Sequence, residues 1–546
     1  MNSLQKQLYA TGLFLFLIPS IVFVFATLLW FIGLPINGWL FLVSIGLAAG
    51  ISYRVFSPKA IKQWSWLFLG CFVIVASLLI AVQFYDCSFD GQWYHQDAIM
   101  FLSDGWNPIW DAAISNNAVS GLNANYVNHY PKAPWVIEAA LYMFTGNIEA
   151  GKAIQLIYLV SFMLLLLTFL KNRFMLSWGT AILITLFIGG STISLGQLFS
   201  FYVDGLLFSL LGILLLFLLE LIYFEAKVLG FMALAFVVLA NIKFTGLIYG
   251  LVFLMMAGIW IILRHKDLIK IRILHFSSVV LIGVVFIGYP TYVRNVISKG
   301  HPLFPIMGQN NEGKSIAEVQ YPADFFDMNR FEKLMSAHAS IPIYTDHEHA
   351  SVRKPLFNKN LVLESIPYYK NHQPVTMSPF GPFEGELLVL FIPLLCLFFL
   401  RRRPLALYLL FGGIILSMII QPEAWNLRYA PQLLLIFALV LAVLMQEKKG
   451  WIRVYAMGFT GLFILNSSIA VFQNWRWVSE NNTALIQELE PMRKTHVKVQ
   501  AGWMKSFELK LKHFEITPVY ELDSNGVYNT FPGDAFSGWK VKKDLK

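Results

Sequence analysis

Long apolar runs alternate with short polar connections along most of the chain, and the runs have the length a bilayer requires. A hydrocarbon core of about 30 Å takes about 20 residues of helix. Runs of that kind lie at 8–31, 37–53, 64–84, 151–170, 177–197, 200–222, 228–242, 245–263, 273–290, 386–400, 404–420, 430–446 and 452–472. The pattern predicts an all-α polytopic membrane protein with about thirteen transmembrane helices. The chain then divides into helices 1–3 (1–84), a first large loop (85–150), helices 4–9 (151–290), a second large loop (291–385), helices 10–13 (386–472) and a C-terminal tail (473–546). The second loop, rich in Pro, His and Tyr, is expected to carry short helices and an ordered lid rather than a separate domain. The first run, Leu8 to Phe31, follows a single lysine, Lys6. It is longer than a signal-peptide core and lacks a small-residue cleavage site, so it reads as a retained first span.

Composition agrees: 57% of the 546 residues are hydrophobic and 13% charged, more apolar surface than one water-soluble core of this size uses. The net charge of +9 does not point to nucleic acid, because the basic excess sits in short loops, where it sets membrane orientation. Those loops are 54–63 (Arg54, Lys59, Lys62), 171–173 (Lys171, Arg173), 264–272 (Arg264, Lys266, Lys270, Arg272), 401–403 (Arg401, Arg402, Arg403) and 448–453 (Lys448, Lys449, Arg453). All five fall on one side if the spans alternate from a cytoplasmic N-terminus, which puts the three large polar segments outside. Cys71 and Cys396 lie in apolar runs and Cys87 is alone in a polar loop, so neither a disulfide framework nor a metal-ligand spacing is present. Outer loops without disulfides favour a bacterial inner membrane with a periplasmic C-terminus, although the sequon Asn481-Asn482-Thr483 leaves the endoplasmic reticulum open.

The first loop is acidic, with Asp86, Asp90, Asp97, Asp104, Asp111, Glu138 and Glu149 against Lys132 alone. Its densest part, Tyr85 to Asp97, leaves the third span and contains Asp86 and Asp90 with Tyr94 and His95. Two carboxylates four apart share a face if helical, and burial against aromatic rings raises a carboxylate toward the range of a working base; ordinary hydrated surface acids are the equal alternative. Further on, His129 and Lys132 precede Val136, Ala139, Ala140 and Met143, the spacing of a helix lying flat in the interface with Trp135 as an anchor. That pair can meet a phosphate at headgroup depth, though interfacial lysines mostly snorkel.

Ionisable residues inside apolar runs are costly unless paired or functional. Asp204, Lys243, Arg294 (with Asn295) and Arg428 (with Tyr429) all map to the same membrane level as Asp90. Singly, each reads as a structural ion pair, for instance Asp204 with Lys243. Together, Lys243, Arg294 and Arg428 suit a lipid-linked phosphate, with arginine gripping its oxygens in pairs.

This layout resembles the GT-C superfamily of polytopic glycosyltransferases, which includes the protein O-mannosyltransferases and the lipid A aminoarabinose transferases. The local matches are Asp86 and Asp90, Asn241 to Gly246, Tyr292-Val293-Arg294-Asn295 through Gly300-His301-Pro302-Leu303-Phe304-Pro305, and Arg428-Tyr429. The resemblance covers most of the membrane region, roughly residues 8–472, and does not extend to the tail; the acidic pair is spaced by three residues rather than adjacent. The resemblance implies a polyprenyl-phosphate sugar donor and a lipid or glycan acceptor, in cell-envelope glycan or glycolipid modification. It makes Asp90, or failing that Asp86, the general base, with Lys243, Arg294 and Arg428 neutralising the leaving phosphate in a single inverting displacement. His95 beside Tyr94 can orient that base, contact sugar hydroxyls, or simply pack. A divalent cation at the acidic loop is compatible with these residues but not required by them. The competing readings are a flippase for lipid-linked glycans, which predicts polar residues along a full path across the bilayer, and a glycan polymerase or ligase.

Overall fold

The computed structural model describes the chain except 57–63, 116–121, 224–227, 265–266, 268, 310–324, 326, 345–348, 354–356, 371–378, 501–504, 521–528, 531–539 and 542–546. Lys59, Lys62 and Lys266, counted above among the basic loop residues, lie outside the described residues.

A helix occupies every one of the predicted apolar runs: α1 (Ser3–Phe31), α2 (Trp39–Phe56), α3 (Ser65–Ala81), α4 (Ala153–Asn172), α5 (Trp178–Gly189), α6 (Asp204–Tyr223), α7 (Leu229–Ala240), α8 (Phe244–Arg264), α9 (Ile269–Leu281), α10 (Glu384–Leu400), α11 (Leu405–Ile420), α12 (Leu433–Leu444) and α13 (Gly450–Leu489). Among the described residues, six stretches are long and apolar enough to cross a membrane: Ser3–Phe31, Ile148–Asn172, Asp204–Leu221, Phe244–Arg264, Ile269–Phe286 and Gly450–Met492. The other seven helices run 12–18 residues. At 1.5 Å per residue the shortest cover about 18 Å.

Burial sorts the bundle into centre and rim. The apolar window of α6 is 83% buried and that of α9 only 17%, so α6 is enclosed by other helices while α9 turns Ile271, Ile273, Leu274 and Leu281 outward. α6 packs against α4, α7 and α8, and α1 against α2, α3 and α4. The α4–α6 crossing depends on Gly212, where a Cβ would fall 2.2 Å from the Phe162 ring. α1 begins in a reciprocal cap: Asn2 Oδ1 accepts from Gln5 N at 2.9 Å and Gln5 Oε1 from Asn2 N at 2.7 Å.

Ion pairs tie the helices at one end of the bundle, where Arg173 after α4 meets Glu220 of α6, and Arg401 and Arg403 after α10 share Glu447 after α12. The opposite end carries the loops that hold the acidic residues. There the helix Ala133–Thr145 departs from the amphipathic expectation. Val136, Ala139, Ala140 and Trp135 are all fully buried and only Met143 of the predicted stripe is exposed, because residues 96–103 and α1 cover the helix.

The chain is mostly helical, as the all-α expectation has it, and short strands occur in two places. Strands β1 (Ser340–Tyr344) and β2 (His349–Arg353) form an antiparallel hairpin in the second large loop. The tail is not a simple extension: α13 continues unbroken for 40 residues, about 60 Å and so about twice a bilayer core. It then enters a small α/β unit of β3 (His496–Gln500), the helix Phe507–His513, β4 (Thr517–Tyr520), β5 (Asn529–Thr530) and β6 (Lys540–Val541). The sheet order is β4-β3-β6-β5, with β3 and β4 parallel, a pairing that needs a crossover such as the intervening helix.

The unit's core joins Leu485 and Leu489 of α13 to Val499, Phe507, Leu511 and Phe514, and it includes Cys87. The tail therefore packs on the acidic loop. Asn482 holds the Tyr85 backbone from both sides, accepting from its N at 2.5 Å and donating to its O at 3.1 Å. Ser506 Oγ donates to Gln92 O at 2.6 Å and Lys510 Nζ to Gln92 Oε1 at 3.3 Å.

Leu511 is almost completely buried, so Leu511→Ala should cost about 2–4 kcal/mol. Hydrogen exchange should then quicken in 496–520 and in 85–92 together; acceleration confined to the tail would mean that the two segments are not coupled.

Candidate functional site

Asp86 and Asp90 have different surroundings. Fully buried Asp86 accepts from Ser88 N at 2.8 Å, Ser88 Oγ at 3.0 Å and Phe201 N at 3.3 Å, the self-bonding turn that short polar side chains favour. Its own N donates to Glu149 Oε2 at 3.1 Å, and Glu149 is paired with Lys152 at 2.7 Å. Burial pushes the Asp86 carboxyl up to about 6, with Lys152 pulling the other way. Glu138 is also buried and is pushed well up by burial and by Asp86. Gly91 must be glycine, since a Cβ there would sit 1.7 Å from Asp86 Oδ2. Asp86 is thus enclosed under the turn and shapes it, while Asp90 directly precedes the wide helical turn Gly91–His95 and keeps 14% of its side-chain surface exposed.

From Asp90 a chain of charges runs into the bundle. Arg428 Nη2 donates to Asp90 Oδ2 at 2.5 Å, and Arg428 Nε donates to Asp204 Oδ2 at 2.9 Å. Lys243 Nζ donates to Asp204 Oδ1 at 2.6 Å. Gln197 completes the inner end, with Nε2 on Asp204 Oδ2 at 3.1 Å and Oε1 accepting from Gly205 N at 3.0 Å. Asp204 is fully buried at the first turn of α6, where the helix N-terminus favours a negative charge. Two carboxylates and two cations leave the set neutral, and aromatic faces cover the cations: Arg428 lies 4.3 Å from the Tyr202 ring centre and Lys243 4.6 Å from that of Tyr429.

Aromatic side chains line the neighbourhood. Tyr94 stacks on Tyr126 at 4.9 Å, Tyr126 meets Tyr130 at 5.4 Å, and Tyr130 meets Phe244 at 5.1 Å. Burial, then Asp90, hold the Tyr94 phenol well above its ordinary value. Trp135 Nε1 donates to His95 Nδ1 at 2.6 Å. An indole N–H only donates, so Nδ1 is an acceptor and the proton of the neutral ring sits on Nε2. Burial pushes His95 down to about 3, against the pull of Asp204, so the ring is neutral at ordinary pH.

The remaining sequence candidates form a second group. His129 Nδ1 bonds to Asn295 Oδ1 at 2.7 Å, and Asn295 Nδ2 reaches the carbonyls of His129 and Phe304, both at 2.9 Å. Burial pushes His129 down to about 4, with the Asn295 bond opposing. Lys132, 2% exposed, donates to the carbonyls of Asn128 at 3.1 Å and Tyr130 at 2.5 Å; burial, then Arg294, push it well down. Arg294 binds the carbonyls of Pro108, Ile109 (3.1 Å) and Asp111 (3.4 Å). These side chains hold backbone together, and Arg294 does not join the Lys243–Asp204–Arg428 chain. Gln197 and Tyr202 went unassigned in the sequence, where neither breaks a polar pattern. Among the described residues, no three His, Cys, Asp or Glu side chains converge as a metal site.

No known protein-family model matches the chain, and no curated protein matches it significantly.

Removing one partner from a buried ion network costs more than removing one at its mouth. Asp204→Asn, which leaves two buried cations facing one carboxylate, should destabilise the protein by about 3–5 kcal/mol. Asp90→Asn should cost clearly less in the same thermal unfolding series in detergent; equal losses would mean that the chain has no inner and outer end.

Proposed function

We propose that the protein is a membrane glycosyltransferase of GT-C type, moving a sugar from a polyprenyl-phosphate donor to an acceptor hydroxyl at the loop-bearing end of the bundle. In this reading all thirteen apolar helices cross the bilayer, the N-terminus is cytoplasmic, and the site faces the periplasm of a bacterial inner membrane. The short helices cross with help from flanking turns, as Thr192–Leu195 extends α5. One observation carries the reading: a partly exposed carboxylate, Asp90, is paired with Arg428 at the outer end of a neutral buried charge chain walled by tyrosines.

The chemistry follows from that pairing. The acceptor hydroxyl oxygen attacks the anomeric carbon and gives its proton to Asp90, while the bond from that carbon to the phosphate oxygen breaks and its electron pair leaves with the phosphate. Protonation cancels the charge that holds Arg428 to Asp90. The guanidinium is then free to turn to the phosphate as negative charge grows there, so one proton transfer couples base and anion stabiliser. A leaving phosphate of low basicity needs that charge more than it needs a general acid. Asp204 and Lys243 stay paired behind Arg428 and fix its Nε edge. His95, held as its Nε2–H tautomer by Trp135, presents a neutral donor. Asp86, Lys132 and Arg294 act through the backbone segments they hold.

The direct test is transfer of sugar from a polyprenyl-phosphate donor in reconstituted membranes. Asp90→Asn should lower the rate by about 100-fold or more, the usual contribution of a general base, while Asp86→Asn acts mainly on stability. Full activity in a folded Asp90→Asn protein removes the base, and glycan translocation without transfer replaces the enzyme by a flippase.

A further inference from the structure

The end of the bundle away from Asp90 holds a cavity that the proposed chemistry does not use. It measures 370 Å³ and lies between α4, α5, α6, α11 and α12. Its wall is almost wholly apolar, with Phe162, Ile188, Leu215, Leu439 and Ala442 among the lining residues, and its polar groups are Arg173 and Gln446 at one edge. Asp204 and Glu220 lie on the same helix, α6, about 24 Å apart at 1.5 Å per residue, and Glu220 pairs with Arg173 at the cavity's polar edge. The cavity therefore belongs to the opposite membrane face from the charge chain.

The lining offers water almost no hydrogen-bond partners, and such cavities take apolar guests. An alkyl chain has the right shape and chemistry for a cleft between apolar helices. The edge selects what the chain is attached to. Arg173, Pro404 and Gln446 line that edge, and the segments that carry them also hold Lys171, Arg401, Arg402 and Arg403, against Glu220 and Glu447. Glu220 is taken by Arg173, with bonds at 3.0 and 2.6 Å, and Glu447 by Arg401 and Arg403. Three positive charges remain in surplus, and Arg402 is exposed two residues before Pro404, which lines the cavity. We propose that this cavity binds one acyl chain of an anionic phospholipid, whose headgroup lies against the 401–403 arginines and Arg173. The site is independent of the glycosyltransferase reading.

Photolabelling tests it, with the full-length protein in nanodiscs that contain phosphatidylglycerol carrying a diazirine on its acyl chain. Adducts should map to the cavity-lining segments of α4, α6 and α12. Ala442→Phe, which fills the cavity, should cut them about tenfold. The exposed variant Arg402→Gln, which leaves the fold alone, should cut them about fivefold, as expected for one basic residue at an anionic surface. Equal labelling by the phosphatidylcholine analogue would overturn the anionic headgroup. Displacement by polyprenyl phosphate in preference to phosphatidylglycerol would overturn the phospholipid, and adducts unchanged in both variants would overturn the site.

Discussion

Arg428, late in the chain, has to satisfy two carboxylates that come from separate earlier segments, and much of the architecture around it follows from that requirement. Its Nε edge faces Asp204 and its Nη2 faces Asp90. A buried charge is tolerated only when its partners are in place, so the segment after α11, the first turn of α6 and the loop after α3 must converge within hydrogen-bond reach. Lys243, between α7 and α8, closes the inner side. The apolar helices bring these segments to one level, and the ion chain fixes their rotation about the bundle axis. Hydrophobic burial alone leaves that rotation loosely specified.

The acidic loop is held from below and from outside. From below, Asp86 gathers Ser88 and Phe201, and the glycine at 91 lets its carboxylate lie against the turn. From outside, the C-terminal unit grips Tyr85 and Gln92. Asp90 lies between those two anchors, which limits its motion while leaving its carboxylate at the surface. In the proposed reaction, preorganisation of this kind would keep the base in position without reorganisation cost.

The helices were legible because a bilayer imposes one length and one composition on each. Basic loops pointed to a common end, and the Arg173–Glu220 and Arg401–Glu447 pairs do gather there. Asp90, Asp204, Lys243 and Arg428 stood out because charge beside an apolar run is rare. Arg294 lies apart from that chain, on first-loop carbonyls, since a sequence gives depth along the helices and no direction around the bundle. Trp135 looked like an interfacial anchor because its helix has amphipathic spacing, but the side chain is buried and serves His95. The tail unit escaped notice for a related reason: its core borrows Cys87 and α13 from distant parts of the chain, and long-range pairing leaves no local pattern.

In the proposed reaction Asp90 and Arg428 act as one device, and a double-mutant cycle on the rate of sugar transfer probes that coupling directly. Asp90→Asn, Arg428→Gln and the double variant should show strong non-additivity, the double losing little more than the worse single. Additive losses, with the two effects multiplying in the double variant, would contradict it.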